Sequence, residues 1–125
     1  MDEQRARQLI ADHFAVAGKD ESAAAEIFAD DAVIEWPQSG ERIRGKPNIV
    51  ALHNASPRAI DIDVGRTTGC GDLWVTEAII RYDGARPTHA VFIMEFRDDK
   101  VVRERDFFGE PFDPPAYRSE WVETS

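Results

Sequence analysis

Apolar positions recur every three or four residues through the first part of the chain and every second residue through most of the rest. Ala6, Leu9, Ile10, His13, Phe14 and Ala17 fall on one stripe at helical spacing. This predicts a helix from Asp2 to Ala17, ended by Gly18. Asp20 is a good N-cap for a second, alanine-rich helix through Phe28, which offers Ala24, Ile27 and Phe28 to a core. Ala32 to Trp36 reads as a short apolar strand stopped by Pro37. Gln38-Ser39-Gly40 is a turn, and Glu41 to Arg44 a brief second strand. Gly45 and Pro47 open a third helix to about Asn54, with Ile49, Leu52 and His53 on one face.

Beyond Pro57 the period changes to two. Ile60, Ile62 and Val64 alternate with Asp61 and Asp63, a half-buried strand reaching about Thr68, and Gly69-Cys70-Gly71-Asp72 is a turn. Leu73 to Tyr82, Thr88 to Arg97 and Lys100 to Phe108 are three further strands. Asp83-Gly84 and Asp98-Asp99 join them as tight hairpin turns. Helices followed by a run of antiparallel strands give an α+β class. A sheet this long curls around the helices and encloses a pocket. The tail from Gly109 carries three prolines, then Tyr117, Arg118 and Trp121, aromatic residues expected to dock it on the body or lid the mouth.

Hairpin register assigns the faces. Pairing Arg97 with Lys100 and Tyr82 with Pro87 puts Trp74, Thr76, Ala78, Ile80, His89, Val91, Ile93, Glu95, Val102, Glu104, Asp106 and Phe108 on one face. A slip of one residue in either turn reverses a strand. Both faces are partly apolar, so one covers the pocket and the other is buried too, most simply in a homodimer.

Asp106 stands out on the pocket face. An acid is depleted in strands and costly to bury unless something pairs with it. Its two readings are an ion pair with Arg103 or Arg105, or a desolvated carboxyl that works as a general acid or base near neutrality. His89 titrates in the physiological range and is its candidate partner. Glu104 shares the face. Trp36, Trp74 and Phe108 are candidate walls for a planar ligand, and His13 and Phe14 reach the same space from the first helix.

Composition narrows the function. A chain of 125 residues is one domain. Its net charge of −9 argues against nucleic acid and anionic membranes as partners. No apolar run approaches the roughly 20 residues of a transmembrane helix. One cysteine, Cys70, cannot form an internal disulfide, which fits a reducing cytoplasm. There is no Cys/His cluster for a metal and no glycine-rich phosphate loop, so no cofactor is expected.

Three stretches carry a family resemblance: Phe28-Ala-Asp-Asp-Ala-Val-Ile-Glu-Trp-Pro, Gly40-Glu-Arg-Ile-Arg-Gly and Arg103-Glu-Arg-Asp-Phe-Phe-Gly-Glu-Pro-Phe. They resemble the SnoaL-like branch of the nuclear-transport-factor-2-like superfamily. The resemblance covers nearly the whole chain. It implies a cone-shaped α+β barrel, with N-terminal helices packed into a strongly curved, mostly antiparallel sheet, commonly dimeric through the outer face. Relatives include polyketide cyclases, ketosteroid isomerase, scytalone dehydratase, limonene epoxide hydrolase and non-catalytic binding modules, and fold does not choose among them. Asp106 resembles the last-strand aspartate of the cyclases and epoxide hydrolases, a pocket proton donor or acceptor. The cyclases also use a pocket histidine, for which His89 is the candidate. The epoxide hydrolases pair their aspartate with an Arg-x-Asp on an earlier strand. Here that segment is Glu77-Ala78-Ile79-Ile80, and both partners are missing.

The resulting expectation is a cytoplasmic homodimer with a cavity for a small hydrophobic or aromatic molecule. As an enzyme it is a cofactor-free isomerase, cyclase or dehydratase using Asp106 and His89. The alternatives are a binding or carrier module without turnover, and a structural dimer whose cavity is filled by its own side chains.

Overall fold

A computed structural model of the chain describes residues 1–124. Helix α1 (Glu3–Val16) begins where the Asp2 carboxylate accepts a hydrogen bond from the Arg5 backbone N–H. It buries Ala6, Ile10 and Phe14, one residue per turn along a single stripe. Gly18 ends it at a φ of +83°, and a Cβ there would meet the Ile60 carbonyl oxygen at 3.1 Å, so glycine is required twice over. Helix α2 (Glu21–Ala24) is one turn long and passes through a 3-10 turn at Ala25–Ile27 into strand β1 (Phe28–Trp36). The alanine-rich segment is thus helical through Ile27, tightening to 3-10 after Ala24, and only Phe28 leaves the expected helix. Phe28 pairs instead with Val101 of the last strand and is buried there, a tertiary contact that outweighs local helix preference. Strand β2 (Glu41–Arg44) and helix α3 (Lys46–Asn54) follow.

Strands β3 (Ile60–Cys70), β4 (Leu73–Tyr82), β5 (Thr88–Arg97) and β6 (Lys100–Gly109) complete a six-stranded sheet of order β2-β1-β6-β5-β4-β3. Only β1 and β6 run parallel. The sheet is curved and open, with β2 and β3 at its edges. This is the α+β architecture that the periodicities predict, with the helices against the inner face.

The register differs from the sequence expectation in two places. Asp83 and Gly84 both take positive φ and the Ala85 N–H bonds to the Tyr82 carbonyl, so the turn is tighter than a Tyr82–Pro87 pairing allows. Ile80 lies opposite Thr88, not His89. In the next hairpin Arg97 does pair with Lys100, but a bulge follows, and Glu95 lies opposite Arg103 rather than Val102. Each deviation is one residue. Together they displace β6 by two residues against β4, which restores the faces, and the inward residues are Trp74, Thr76, Ala78, Ile80 and Glu104, Asp106, Phe108 as expected. The strand between them is reversed. Thr88, Ala90, Phe92, Met94 and Phe96 point inward, and His89, Val91, Ile93 and Glu95 point outward.

The core joins α1 to the inner face of the sheet through Ile10, Phe14, Ile34, Trp74, Phe92, Met94 and Val101. On the outer face Arg103 pairs with Glu35 at 2.6 Å and Glu95 at 3.4 Å. The tail does not dock as expected: Phe112, Tyr117 and Trp121 are each about three-quarters exposed. Among the described residues no helix is long and apolar enough to cross a membrane.

Candidate functional site

Between α1, α2, α3 and the inner face of the sheet lies a cavity of about 560 Å³. That volume suits a small organic molecule. Phe14, Phe28, Phe92, Phe108, Ile49 and Ile80 supply much of the wall. Phe14, Phe92 and Phe108 form a chain of ring contacts at 5.1 and 6.1 Å across it.

Asp106 and Glu104 stand two residues apart on β6, so alternation delivers both carboxyls to the same wall. They are only 3% and 4% exposed. Arg103 and Arg105 occupy the opposite face, and Arg103 is engaged by Glu35 and Glu95, so neither arginine pairs with Asp106. Among the described residues, the one side-chain donor that reaches Asp106 from another element is the Trp36 indole N–H, at 3.0 Å to Oδ2. Gln38 holds that donor in place. Its amide bonds both the carbonyl and the N–H of Phe108, at 2.5 and 2.6 Å, stapling the end of β1 to β6 beside Asp106.

Glu104 Oε1 and Asp106 Oδ1 are sealed from solvent and receive no donor from any other described residue. Two adjacent buried carboxyls cannot both ionise, and a proton held between them satisfies both. Burial, then the charge of Asp106, pushes the Glu104 carboxyl well above the ordinary carboxylate range. Burial raises Asp106 to about 6, against hydrogen bonds from Glu104 and Trp36 that hold it down. Near neutrality the pair is a protonated Glu104 donating to an ionised Asp106.

The helical wall carries histidine. His13 Nδ1 lies 2.7 Å from the Ala24 carbonyl oxygen, and burial lowers its pKa to about 4. His53 is also held below its ordinary value by burial, with Glu21 3.6 Å away opposing the shift. At the mouth stand Tyr82, Arg58 and Glu110, with the Arg58 guanidinium 4.1 Å above the Tyr82 ring. Burial raises the Tyr82 phenol, and Asp106 and Glu110 add to that shift.

The sequence-predicted residues divide accordingly. Asp106, Glu104, Trp36, Phe108, Ile80, Phe14 and His13 line the cavity. His89 does not: it is exposed on the outer face, because the hairpin turn before it is one residue tighter than expected. Val91 and Ile93 are on that face with it for the same reason. Trp74 and Ala78 face inward but belong to the core. Trp74 is 1% exposed and donates its indole N–H to the Gly71 carbonyl, with Gly69 flush against its ring. Sequence reasoning missed Phe92, which the same slip put on the wrong face. It also missed Tyr82, Arg58 and Gln38, which sit in or beside turns where periodicity carries no signal. Among the described residues no group of three His, Cys, Asp or Glu side chains converges as metal ligands.

Comparison with known proteins agrees with this architecture. The profile of the SnoaL-like domain matches residues 6–104. The crystal structure of an NTF-2 like protein of unknown function from Burkholderia xenovorans LB400 is 42% identical, with a TM-score of 0.87 over 98% of this chain and 97% of that one. A candidate ketosteroid isomerase from Kribbella flavida is 26% identical, with a TM-score of 0.88 over 98% and 90%. An LEH-like epoxide hydrolase of M. tuberculosis shares the fold at 18% identity, with a TM-score of 0.71 over 84% and 83%. No curated protein matches the chain.

Proposed function

Because the chain belongs to the SnoaL-like domain family, with the nuclear-transport-factor-2-like fold, we propose that its cavity receives a small apolar molecule and that Asp106 moves a proton on it. The observation that carries this reading is the buried carboxyl pair. Asp106 titrates at about 6, beside a Glu104 that keeps its proton, on the wall of an apolar cavity. A base with that pKa is ionised at neutrality and still strong enough to accept a proton from carbon next to a carbonyl. The C–H electron pair moves into the carbonyl to give an enolate. The proton now on Asp106 is then returned to a different carbon in an isomerisation, or to a departing hydroxyl in a dehydration. Glu104 stabilises Asp106 as the carboxylate through its hydrogen bond, and Trp36 does the same through Oδ2.

The arrangement does not favour epoxide hydrolysis of the Asp–Arg–Asp kind. At the corresponding places β4 presents Ala78 and Ile80 inward, and Asp106 has no arginine partner. A binding module without turnover is the second reading. It is favoured by one feature: Asp106 Oδ1 is sealed from solvent and Oδ2 accepts the Trp36 N–H, as suits a carboxyl that does not exchange a proton with a ligand. The proposal includes a homodimer through the outer face, where Val75, Ile79, Val91 and Ile93 are half-buried and Leu73 is half exposed, in a cytoplasmic protein. A monomer in sedimentation at tens of micromolar would remove the dimer.

The test is exchange of protons in D₂O. A panel of enolisable ketones, including β,γ-unsaturated and β-hydroxy members, is incubated with the protein and followed by NMR for deuterium at carbon. Exchange with wild type and none with Asp106→Asn supports the base. Ketones that bind without exchanging leave the binding module, and undiminished exchange in Asp106→Asn removes Asp106 from the role.

A further inference from the structure

The cavity is rich in acids and poor in cations. Its lining includes four acids, Glu21, Glu104, Asp106 and Glu110, against one cation, Arg58, which stands at the exposed mouth. The Trp36 N–H is already given to Asp106, and the proton of Glu104 is shared with the same group. One further acceptor lies on the opposite wall and is unused. A carbonyl oxygen can only accept, so the 2.7 Å contact with Ala24 requires His13 Nδ1 to carry the hydrogen. The ring is held edge-on against Phe14 at 4.8 Å and Phe28 at 5.7 Å. The imidazole is neutral at neutral pH because burial opposes its charging. In this tautomer Nε2 is a bare lone pair. Nε2 has no partner among the described residues, yet it is not among the side-chain atoms sealed from solvent.

We propose that His13 is a specificity-determining residue whose Nε2 accepts a hydrogen bond from a hydroxyl on an uncharged, largely aromatic ligand. This rests on the reading of the cavity as a ligand site and goes beyond it by naming what the ligand must carry. A ligand with no donor leaves Nε2 unpaired and forfeits that hydrogen bond. A carboxylated or phosphorylated ligand meets the acids Glu21, Asp106 and Glu110 against the single cation Arg58. The uncharged hydroxyl compound is the class that offends neither condition.

Three matched probes test it: 2-naphthol, which donates, 2-methoxynaphthalene, which only accepts, and 2-naphthoate, which is charged. Affinities are measured on the full chain, and the His13 ring nitrogens are followed by ¹⁵N NMR. The free protein is expected to show Nδ1 protonated and Nε2 bare. Naphthol shifts Nε2 upfield as it accepts, and the methyl ether leaves it unchanged. Naphthol binds about fivefold more tightly than the ether, the worth of one net hydrogen bond, and naphthoate binds more weakly than either. His13→Phe abolishes the naphthol preference and keeps the ether affinity. Four results would overturn the assignment: an Nε2-protonated tautomer, an Nε2 signal that ignores naphthol, a preference that survives His13→Phe, or tighter binding of naphthoate. In each of those cases probe binding still supports the cavity as a ligand site. Binding of none of the three overturns both. If His13→Phe fails to fold, the ¹⁵N signals of the wild-type protein decide alone.

Discussion

The two walls of the cavity answer the same physical problem in opposite ways. On the helical wall burial holds a base, His13, uncharged down to about pH 4. On the strand wall burial holds an acid, Glu104, uncharged and raises its neighbour Asp106 to about 6. Desolvation pushes every group toward neutrality, whatever its charge type. The walls differ in their partners. His13 is given a backbone carbonyl that fits its neutral form, so nothing is gained by charging it. Asp106 is given two donors, Trp36 and the Glu104 proton, that fit its ionised form. Asp106 therefore retains its charge in a dry site on the strand wall, and His13 across from it retains none. A charge kept in an apolar cavity marks where chemistry is to be sought, and an uncharged acceptor marks where a ligand is to be read.

The largest effect that sharpens this contrast is on turnover. Asp106→Asn removes the retained charge and is expected to lower the exchange rate by roughly 10²–10⁴, the usual contribution of a general base. Ligand affinity should change little. In wild type the rate rises with pH through about 6 as Asp106 ionises, and declines at higher pH where Glu104 loses its proton.

Stability against pH comes next. Asp106 has a folded pKa raised above the unfolded ~3.9, so the folded state binds the extra proton between there and about 6. Its contribution is full below that window and is lost as pH rises through it. His13 has a folded pKa lowered from 6.5 to about 4. Its contribution is present above 6.5 and is lost as pH falls toward 4. Each shift of about two units corresponds to on the order of 3 kcal/mol, and in wild type the two slopes oppose. Urea unfolding at a series of pH values should separate them. Relative to wild type, Asp106→Asn should lose stability more steeply from pH 6.5 to 4. His13→Phe should lose it less steeply, and it sits about 1 kcal/mol lower at pH 7 for the lost hydrogen bond to the Ala24 carbonyl. Equal slopes in all three proteins would mean that neither wall titrates as described.

Smaller effects follow from the donors. Glu104→Gln replaces a proton that can be lost by an amide that cannot, so it should gain stability over wild type at alkaline pH and flatten the alkaline decline in rate. Trp36→Phe removes the N–H from Asp106 Oδ2 at a cost of about 1 kcal/mol and should move the acid limb of the rate profile upward. An unchanged acid limb would mean that Trp36 does not hold the charge.

How much of this was readable beforehand depends on position along each strand. Asp106 was conspicuous because an acid between Val102 and Phe108 breaks the apolar pattern of its strand. The same alternation placed Glu104 beside it and Ile80 opposite. His89 was misplaced because a face assignment inherits its register from the turn before it. The Asp83-Gly84 turn closes one residue tighter than expected, and the bulge at Val102 shifts β6 by one more. Two single slips return β6 to its expected face and leave only β5 reversed, exchanging His89, Val91 and Ile93 for Thr88, Ala90 and Phe92. The tail aromatics looked as if they would dock by their chemistry alone, and Phe112, Tyr117 and Trp121 remain exposed.

Local periodicity and turn chemistry, both properties of neighbouring residues, determined the α+β class, the strands β4 to β6 and the presence of an inward carboxyl pair on the last of them. Tertiary structure decided which residues complete the site. Trp36 and Asp106 lie 70 residues apart and meet only because β1 pairs in parallel with β6. His13 faces them only because α1 packs across the curved sheet. Its protonated nitrogen is set by the Ala24 carbonyl, which α2 presents where it passes into the 3-10 turn. Such partners depend on how distant elements meet, and no spacing within a strand or helix encodes that.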